Sequence, residues 1–206
     1  MATASSYASG VGEEAALVER LRAGDEHAFV TLVDQYHAPL LRLVGTFVPS
    51  KAVAEEVVQD TWLGVVRGIE RFEGRASLKT WLYSIAVNRA RTTGARERKQ
   101  VPTDLQREAV DPRRFTAGGA WADPPAPWTD ASDDRLDASE LAGRVARHID
   151  ALPDAQRHVV SLRDVDGLSS DDVCRMLGIT AANQRVLLHR GRSKVRAALE
   201  REMGRG

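Results

Sequence analysis

The chain has 206 residues, 43% of them hydrophobic but only 5% aromatic, enough to bury the core of one domain or two small ones with mainly aliphatic side chains. Its formal net charge is zero, which excludes a uniformly basic nucleic-acid binder, yet the charges are unevenly placed. The lone cysteine, Cys174, excludes an intrachain disulfide framework and a cysteine-rich zinc site. Acidic residues lead from Glu13 to Asp60, while basic residues lead from Arg67 to Lys99 and again from Arg185 onward. A neutral total therefore accommodates two basic faces for nucleic acid and one acidic face for a protein.

Residues 1–12 are small and polar and are expected to form a disordered tail. They lack a basic start and an apolar run, and no stretch approaches the roughly 20 apolar residues of a membrane span, so a cytoplasmic protein is expected. From Glu13 the pattern is helical. Leu17 and Leu21 make a short stripe ended by Gly24, and Asp25 caps a helix carrying Phe29, Leu32, Val33 and Tyr36. Pro39 is expected to open a further helix through Leu40, Leu43, Val44 and Phe47. Ser50 caps a longer one with Val58, Trp62, Val65, Val66 and Ile69, and Ser77 caps a helix with Leu78, Trp81, Leu82 and Ile85. These helices form a first domain over residues 13–99.

From residue 100 to 136 the composition shifts. Pro102, Pro112, Gly118, Gly119, Pro124, Pro125 and Pro127 break any long helix, which predicts an extended linker between separable domains. A coil of about 35 residues averages about 35 Å end to end but stretches beyond about 100 Å, so it can span a gap without holding it fixed.

The second domain is expected over residues 137–206. Leu141, Val145, Ile149 and Leu152 mark one helix, and Pro153 opens another with Val159, Val160 and Leu162. Ser169 or Ser170 then caps a short helix through Val173 and Met176. Gly178 permits a left-handed turn, Thr180 caps the last helix, and the small Cys174 allows a close helix crossing. This is helix-turn-helix spacing. The fold class is all-α, two small helical domains joined by a flexible linker.

Two segments carry chemistry. In the first, Arg71 to Arg91, a polar loop feeds a helix with two aromatics, Trp81 and Tyr83, and a rim of Lys79, Asn88, Arg89 and Arg91. Aromatic faces stack on unpaired bases, and Lys and Arg hold phosphates. Trp81 and Leu82 also suit a helix core. In the second, the last helix offers Asn183, Gln184 and Arg185 for base edges, and His189, Arg190, Arg192, Lys194 and Arg196 for phosphates. The alternative for so basic a face is a solvated or protein-binding helix.

The first segment resembles the promoter-melting segment of extracytoplasmic-function (ECF) sigma factors of the sigma-70 family, through Phe72, Gly74, Thr80, Trp81, Leu82, Tyr83, Ile85, Ala86 and Asn88. The second resembles the minus-thirty-five domain of the same family through Leu188, His189, Arg190 and Arg192, although Gln184 stands where the family usually carries an aliphatic residue and Val186-Leu187 replaces a commoner Ser-Arg pair. The resemblance implies minus-ten contacts by Phe72, Gly74, Arg75, Ser77, Lys79, Trp81, Tyr83, Asn88 and Arg89, with the loop from Arg71 to Ser77 holding a flipped base. It implies minus-thirty-five contacts by Asn183, Gln184, Arg185, His189, Arg190, Arg192 and Lys194. Residues 54–63 resemble the family's polymerase-docking helix, which assigns Glu56, Gln59, Asp60 and Trp62 to the clamp helices of the largest subunit. For Trp62, a core position sharing the stripe of Val58 and Val66 is an even alternative.

The implied partners are bacterial core RNA polymerase (including the flap of its second-largest subunit), promoter DNA and an anti-sigma factor. The expected function is to bind core polymerase, direct it to promoters and assist melting. The five histidines lack metal-ligand spacing, and no P-loop, Gly-x-Ser-x-Gly or paired-carboxylate motif occurs, so no metal, cofactor or enzymatic activity is expected. Two other readings use the same features. One is a helix-turn-helix regulator that does not melt DNA. The other is a helical adaptor whose basic faces bind acidic proteins.

Overall fold

A computed structural model of the chain describes residues 3–99 and 138–203. All regular elements among them are helical: α1 (Thr3–Arg22), α2 (Glu26–Gly45), α3 (Lys51–Gly68), a 3-10 turn (Ile69–Arg71), α4 (Leu78–Lys99), α5 (Ala138–Asp150), α6 (Asp154–Val160), a π turn (Ser161–Val165), α7 (Ser170–Leu177) and α8 (Ala181–Met203). The expected linker lies outside the described residues.

Local chemistry sets the ends. Asp25 accepts from the Ala28 amide at 3.1 Å, Ser50 from Val53 at 3.3 Å and Ser77 from Thr80 at 3.1 Å. In the second domain Ser169 accepts from Asp172 at 3.1 Å and Thr180 from Asn183 at 3.2 Å. Each acceptor satisfies an amide that its helix leaves unpaired. Gly178 sits at φ 68°, and its amide closes α7 on the Cys174 carbonyl at 2.9 Å.

Two expectations change. The backbone is helical from Thr3, where a disordered tail was expected; Thr3 to Glu13 contains no proline, and its two glycines lower helix propensity without breaking a helix. Pro39 lies inside α2 and does not begin a separate helix. Proline removes one intrahelical bond, but Leu40, Leu43 and Val44 are each 2% exposed or less, and their burial offsets that loss.

The first-domain core joins Leu32, Leu43, Val44, Val58, Val65, Leu82 and Val87 from α2, α3 and α4. It does not stop at the domain boundary. Leu162 of the π turn, Leu168 of the loop after it, and Val173 and Met176 of α7 belong to the same cluster. A second cluster of Ile149, Leu152, Val159, Val160 and Leu188 holds α5, α6 and α8 together. Its close point is Gly191, where an added Cβ would lie 2.5 Å from a Val160 methyl. The two domains, expected to be separate, are thus packed face to face.

Candidate nucleic-acid interface

The loop from Phe72 to Ser77 is braced from α1. Arg22 donates to the carbonyls of Phe72 and Ile69, and Glu14 accepts from the Leu78 amide at 3.0 Å. Neither residue carries a local motif; their role appears only when α1 lies beside the loop. Gly74 takes φ 69° at the apex, and Arg75 pairs with Glu73 on the exposed rim. Phe72 is buried and its ring lies 5.2 Å from that of half-buried Trp81 at 49°. Arg71, Phe72, Glu73, Arg75 and Trp81, with Thr80, Ser84 and Asn88 of α4 and Asp172, Arg175 and Met176 of α7, line an open cavity of about 470 Å³. It has an aromatic floor and a charged rim in which Arg71, Arg75 and Arg175 outnumber Glu73 and Asp172; aromatic faces and cations are the chemistry that holds an unstacked base.

The other expected minus-ten residues fall differently. Ser77 and Asn88 are exposed, and Arg89 lies 3.5 Å from Asp60 of α3. Tyr83 is only 1% exposed, so the expected strand-facing aromatic is an inward one here. Its hydroxyl donates to Asp166 of the second domain at 2.9 Å, and Lys79 donates to the Asp166 carbonyl. Burial and then the Asp166 charge push the Tyr83 phenol far above its ordinary range. Burial likewise raises the Asp166 carboxyl, against the Tyr83 hydrogen bond and the charges of Lys79 and Arg42.

On α3, Glu56, Gln59 and Asp60 are exposed on one face. Trp62 is not: it is 8% exposed, donates to His37 Nδ1 at 3.3 Å and meets Phe29 edge-on at 5.9 Å. Of its two expected places, the structure puts it in the core. The exposed apolar residues beside the acidic rim are Leu63 and Val66, at 52% and 55%. Sequence periodicity puts Val66 on the Val58 stripe, and its exposure emerges only from the packing.

On α8, Asn183, Arg185 and Lys194 are exposed, His189 and Arg190 half-buried. Arg192 forms a two-pronged pair with Asp164 at 2.6 and 2.9 Å. Gln184 cannot reach a base edge: it is 2% exposed and accepts from Ser170 Oγ at 3.2 Å. It occupies the inward position where an aliphatic residue would stand. Burial, then the charges of Arg192 and Arg196, lower the His189 pKa.

Two family models match separate stretches of the chain. Residues 32–100 match the model of sigma-70 region 2, and residues 142–195 match sigma-70 region 4. The chain is 32% identical over 180 residues to the ECF RNA polymerase sigma-E factor of Escherichia coli strain K12, covering 87% of this chain and 90% of that protein. The chain belongs to the ECF sigma factors of the sigma-70 family. As an alternative sigma factor it directs core RNA polymerase to promoters, and the family is not one of catalytic enzymes. It is also 31% identical to the RNA polymerase sigma-H factor of Pseudomonas aeruginosa, over 89% of this chain and 92% of that one. Two solved structures share the fold. CnrH in complex with the cytosolic domain of CnrY superposes with a TM-score of 0.55 at 20% identity, covering 91% of this chain and 97% of that chain. RpoE in complex with the anti-sigma factor NepR from Bartonella quintana gives 0.53 at 20% identity, over 82% and 97%. No described helix is long and apolar enough to cross a membrane.

Proposed function

We propose that this ECF sigma factor divides its work among three surfaces. The face of α3 bearing Glu56, Gln59, Asp60, Leu63 and Val66 docks on the polymerase clamp helices. The loop and α4 capture the non-template minus-ten strand: Phe72 and Trp81 wall the base cavity, Gly74 allows close backbone approach, and Arg75, Ser77, Lys79, Asn88 and Arg89 hold the backbone. Asn183 and Arg185 on α8 meet base edges of the minus-thirty-five element, while His189, Arg190, Arg192 and Lys194 meet its phosphates. The observation that carries this is the cavity of about 470 Å³ with Phe72 and Trp81 against a cationic rim. A duplex-only reader needs no such cavity, because its bases stay stacked.

The protein has no reaction of its own and works in the cytoplasm, where polymerase is. An anti-sigma factor is its regulatory partner, as NepR is for the Bartonella quintana protein that shares its fold. The test is run-off transcription with core polymerase on promoters from the same genome. Discrete new starts that vanish with Lys79→Ala and Trp81→Ala, in variants shown to be folded by thermal melting, support the reading. Tight duplex binding by the protein alone, with no polymerase association and no initiation, would establish a simple helix-turn-helix regulator instead.

A further inference from the structure

The loop that walls the base cavity does not hold its own shape. Among the described residues, no hydrogen bond involves the backbone amides of residues 73 to 77. Gly74, at φ 69°, bends the chain at one point. Burial of Phe72 and Leu78, 6% and 2% exposed, seats the two ends in the core but leaves the backbone between them free to turn. What fixes the loop is whatever orients the backbone at each end.

Both ends are held by α1. At the entry, the Arg22 guanidinium donates to the carbonyl of Ile69 at 3.4 Å and to that of Phe72. A planar fork on two carbonyls sets the direction of the backbone as well as its position. Glu19 orients the same guanidinium at 2.7 Å. At the exit, Glu14 accepts at 3.0 Å from the amide of Leu78, the first residue of α4. Ser77 serves the Thr80 amide, so the Leu78 amide has no local acceptor and is satisfied by a carboxylate 64 residues away. That negative charge also faces the positive end of α4. Glu14 and Arg22 stand two turns apart on α1, about 12 Å along its axis, so one rigid helix spans the two ends of the loop. Both are half-buried, whereas Glu13 and Glu19 are exposed.

We propose that Glu14 and Arg22 are positioning residues for minus-ten recognition. They hold the loop from Phe72 to Ser77 in the shape that presents its cavity to a flipped base. Base discrimination therefore depends on α1, although neither residue lines the cavity. This rests on the assignment of that cavity to the minus-ten strand.

The test uses the full chain, alone and with core polymerase. Hydrogen exchange of the free chain reads the brace itself. Glu14→Ala should speed exchange of the Leu78 amide by about tenfold or more, and Glu14→Gln, which keeps an accepting oxygen, should restore most of the protection. Initiation is then read on a promoter library randomised through the minus-ten element. Glu14→Ala and Arg22→Ala should lower discrimination at the most selective minus-ten position by about tenfold, while affinity for core polymerase, carried by α3, stays within about twofold and Glu14→Gln selects as wild type does. Arg22→Lys, which reaches one carbonyl but not two, serves where Arg22→Ala fails to fold, and an intermediate loss of discrimination is expected. A merely structural role would lower polymerase affinity and initiation at every promoter alike and leave the preferred bases unchanged, and that result would overturn the proposal. Unaltered exchange at Leu78 in Glu14→Ala would overturn it as well. A wild type that initiates nowhere sinks the cavity assignment and this role with it, whereas unaltered exchange, read without polymerase or promoter, sinks the brace alone.

Discussion

Gln184, in the first turn of α8, accepts a hydrogen bond from Ser170 in the first turn of α7 at 3.2 Å. This ties the two helices of the helix-turn-helix together through an inward position, 2% exposed, where an apolar side chain would only pack. Gln184 Nε2 is buried with no protein partner, and an unsatisfied buried amide costs about 1–3 kcal/mol. Gln184→Leu should therefore leave stability unchanged or raise it by up to about 1 kcal/mol, with promoter preference intact. Asn183→Ala and Arg185→Ala should change base preference in the minus-thirty-five element. Selection from a randomised promoter library, beside thermal melting, checks both; a new consensus for Gln184→Leu would return that residue to the DNA face.

Gly191 marks where α8 crosses α6. A Cβ there would lie 2.5 Å from Val160 and 3.5 Å from Leu152, with Gln156 Cβ at 3.6 Å on the other side. Overpacking of this kind costs about 1–3 kcal/mol. Gly191→Ala should lower the melting temperature of the second domain by several degrees while polymerase binding through α3 persists. Unchanged melting would mean that the helices can slide apart at no cost.

The fold was largely legible because its signals are local. Asp25, Ser50, Ser77, Ser169, Thr180 and Gly178 each mark a helix end with a hydrogen bond or a backbone angle that a short window of sequence specifies. The pairing of Phe72 with Trp81 that walls the cavity was legible for the same reason, since the two lie within ten residues of each other. The packing of the two domains was not, because it joins residues 79–91 to residues 166–176 and Phe47 to His158, and no local pattern encodes those pairings. One trace was present: Leu78, Leu82, Ala86 on one side and Tyr83, Val87, Ala90 on the next make the apolar arc of α4 wider than a single stripe. A helix apolar over so wide an arc is covered from more than one direction, here by α2 and α3 of its own domain and by α7.

The Tyr83–Asp166 contact between the two domains should respond to pH. Asp166 is raised above the ordinary aspartate value of 3.8 in the packed arrangement, mainly by burial, with Tyr83, Lys79 and Arg42 facing it and opposing the rise. An acid whose pKa is higher in the packed arrangement binds protons there more tightly, so protonation favours packing. That contribution is complete below the ordinary value and is lost as pH rises through the raised one. The packed arrangement should therefore be favoured as the pH is lowered, read as domain separation by scattering, and Asp166→Asn, which still accepts from Tyr83 but does not titrate, should remove that response. Compaction on raising the pH would contradict the sign.

Trp62 and Leu63 separate folding from docking on α3. Trp62 is packed on Phe29 and bonded to His37, so Trp62→Ala should cost about 3–5 kcal/mol and weaken polymerase binding only through unfolding. Leu63 is 52% exposed beside Gln59 and Asp60. Leu63→Asp should change stability by no more than about 0.5 kcal/mol. At a docking face it places a charge where an apolar contact forms, and polymerase affinity should fall about tenfold or more. Affinity for immobilised core polymerase, measured beside denaturant melts of the same variants, distinguishes the two. If Leu63→Asp binds as wild type while Trp62→Ala, still folded at the assay temperature, does not, then α3 opens on docking and the indole is the anchor.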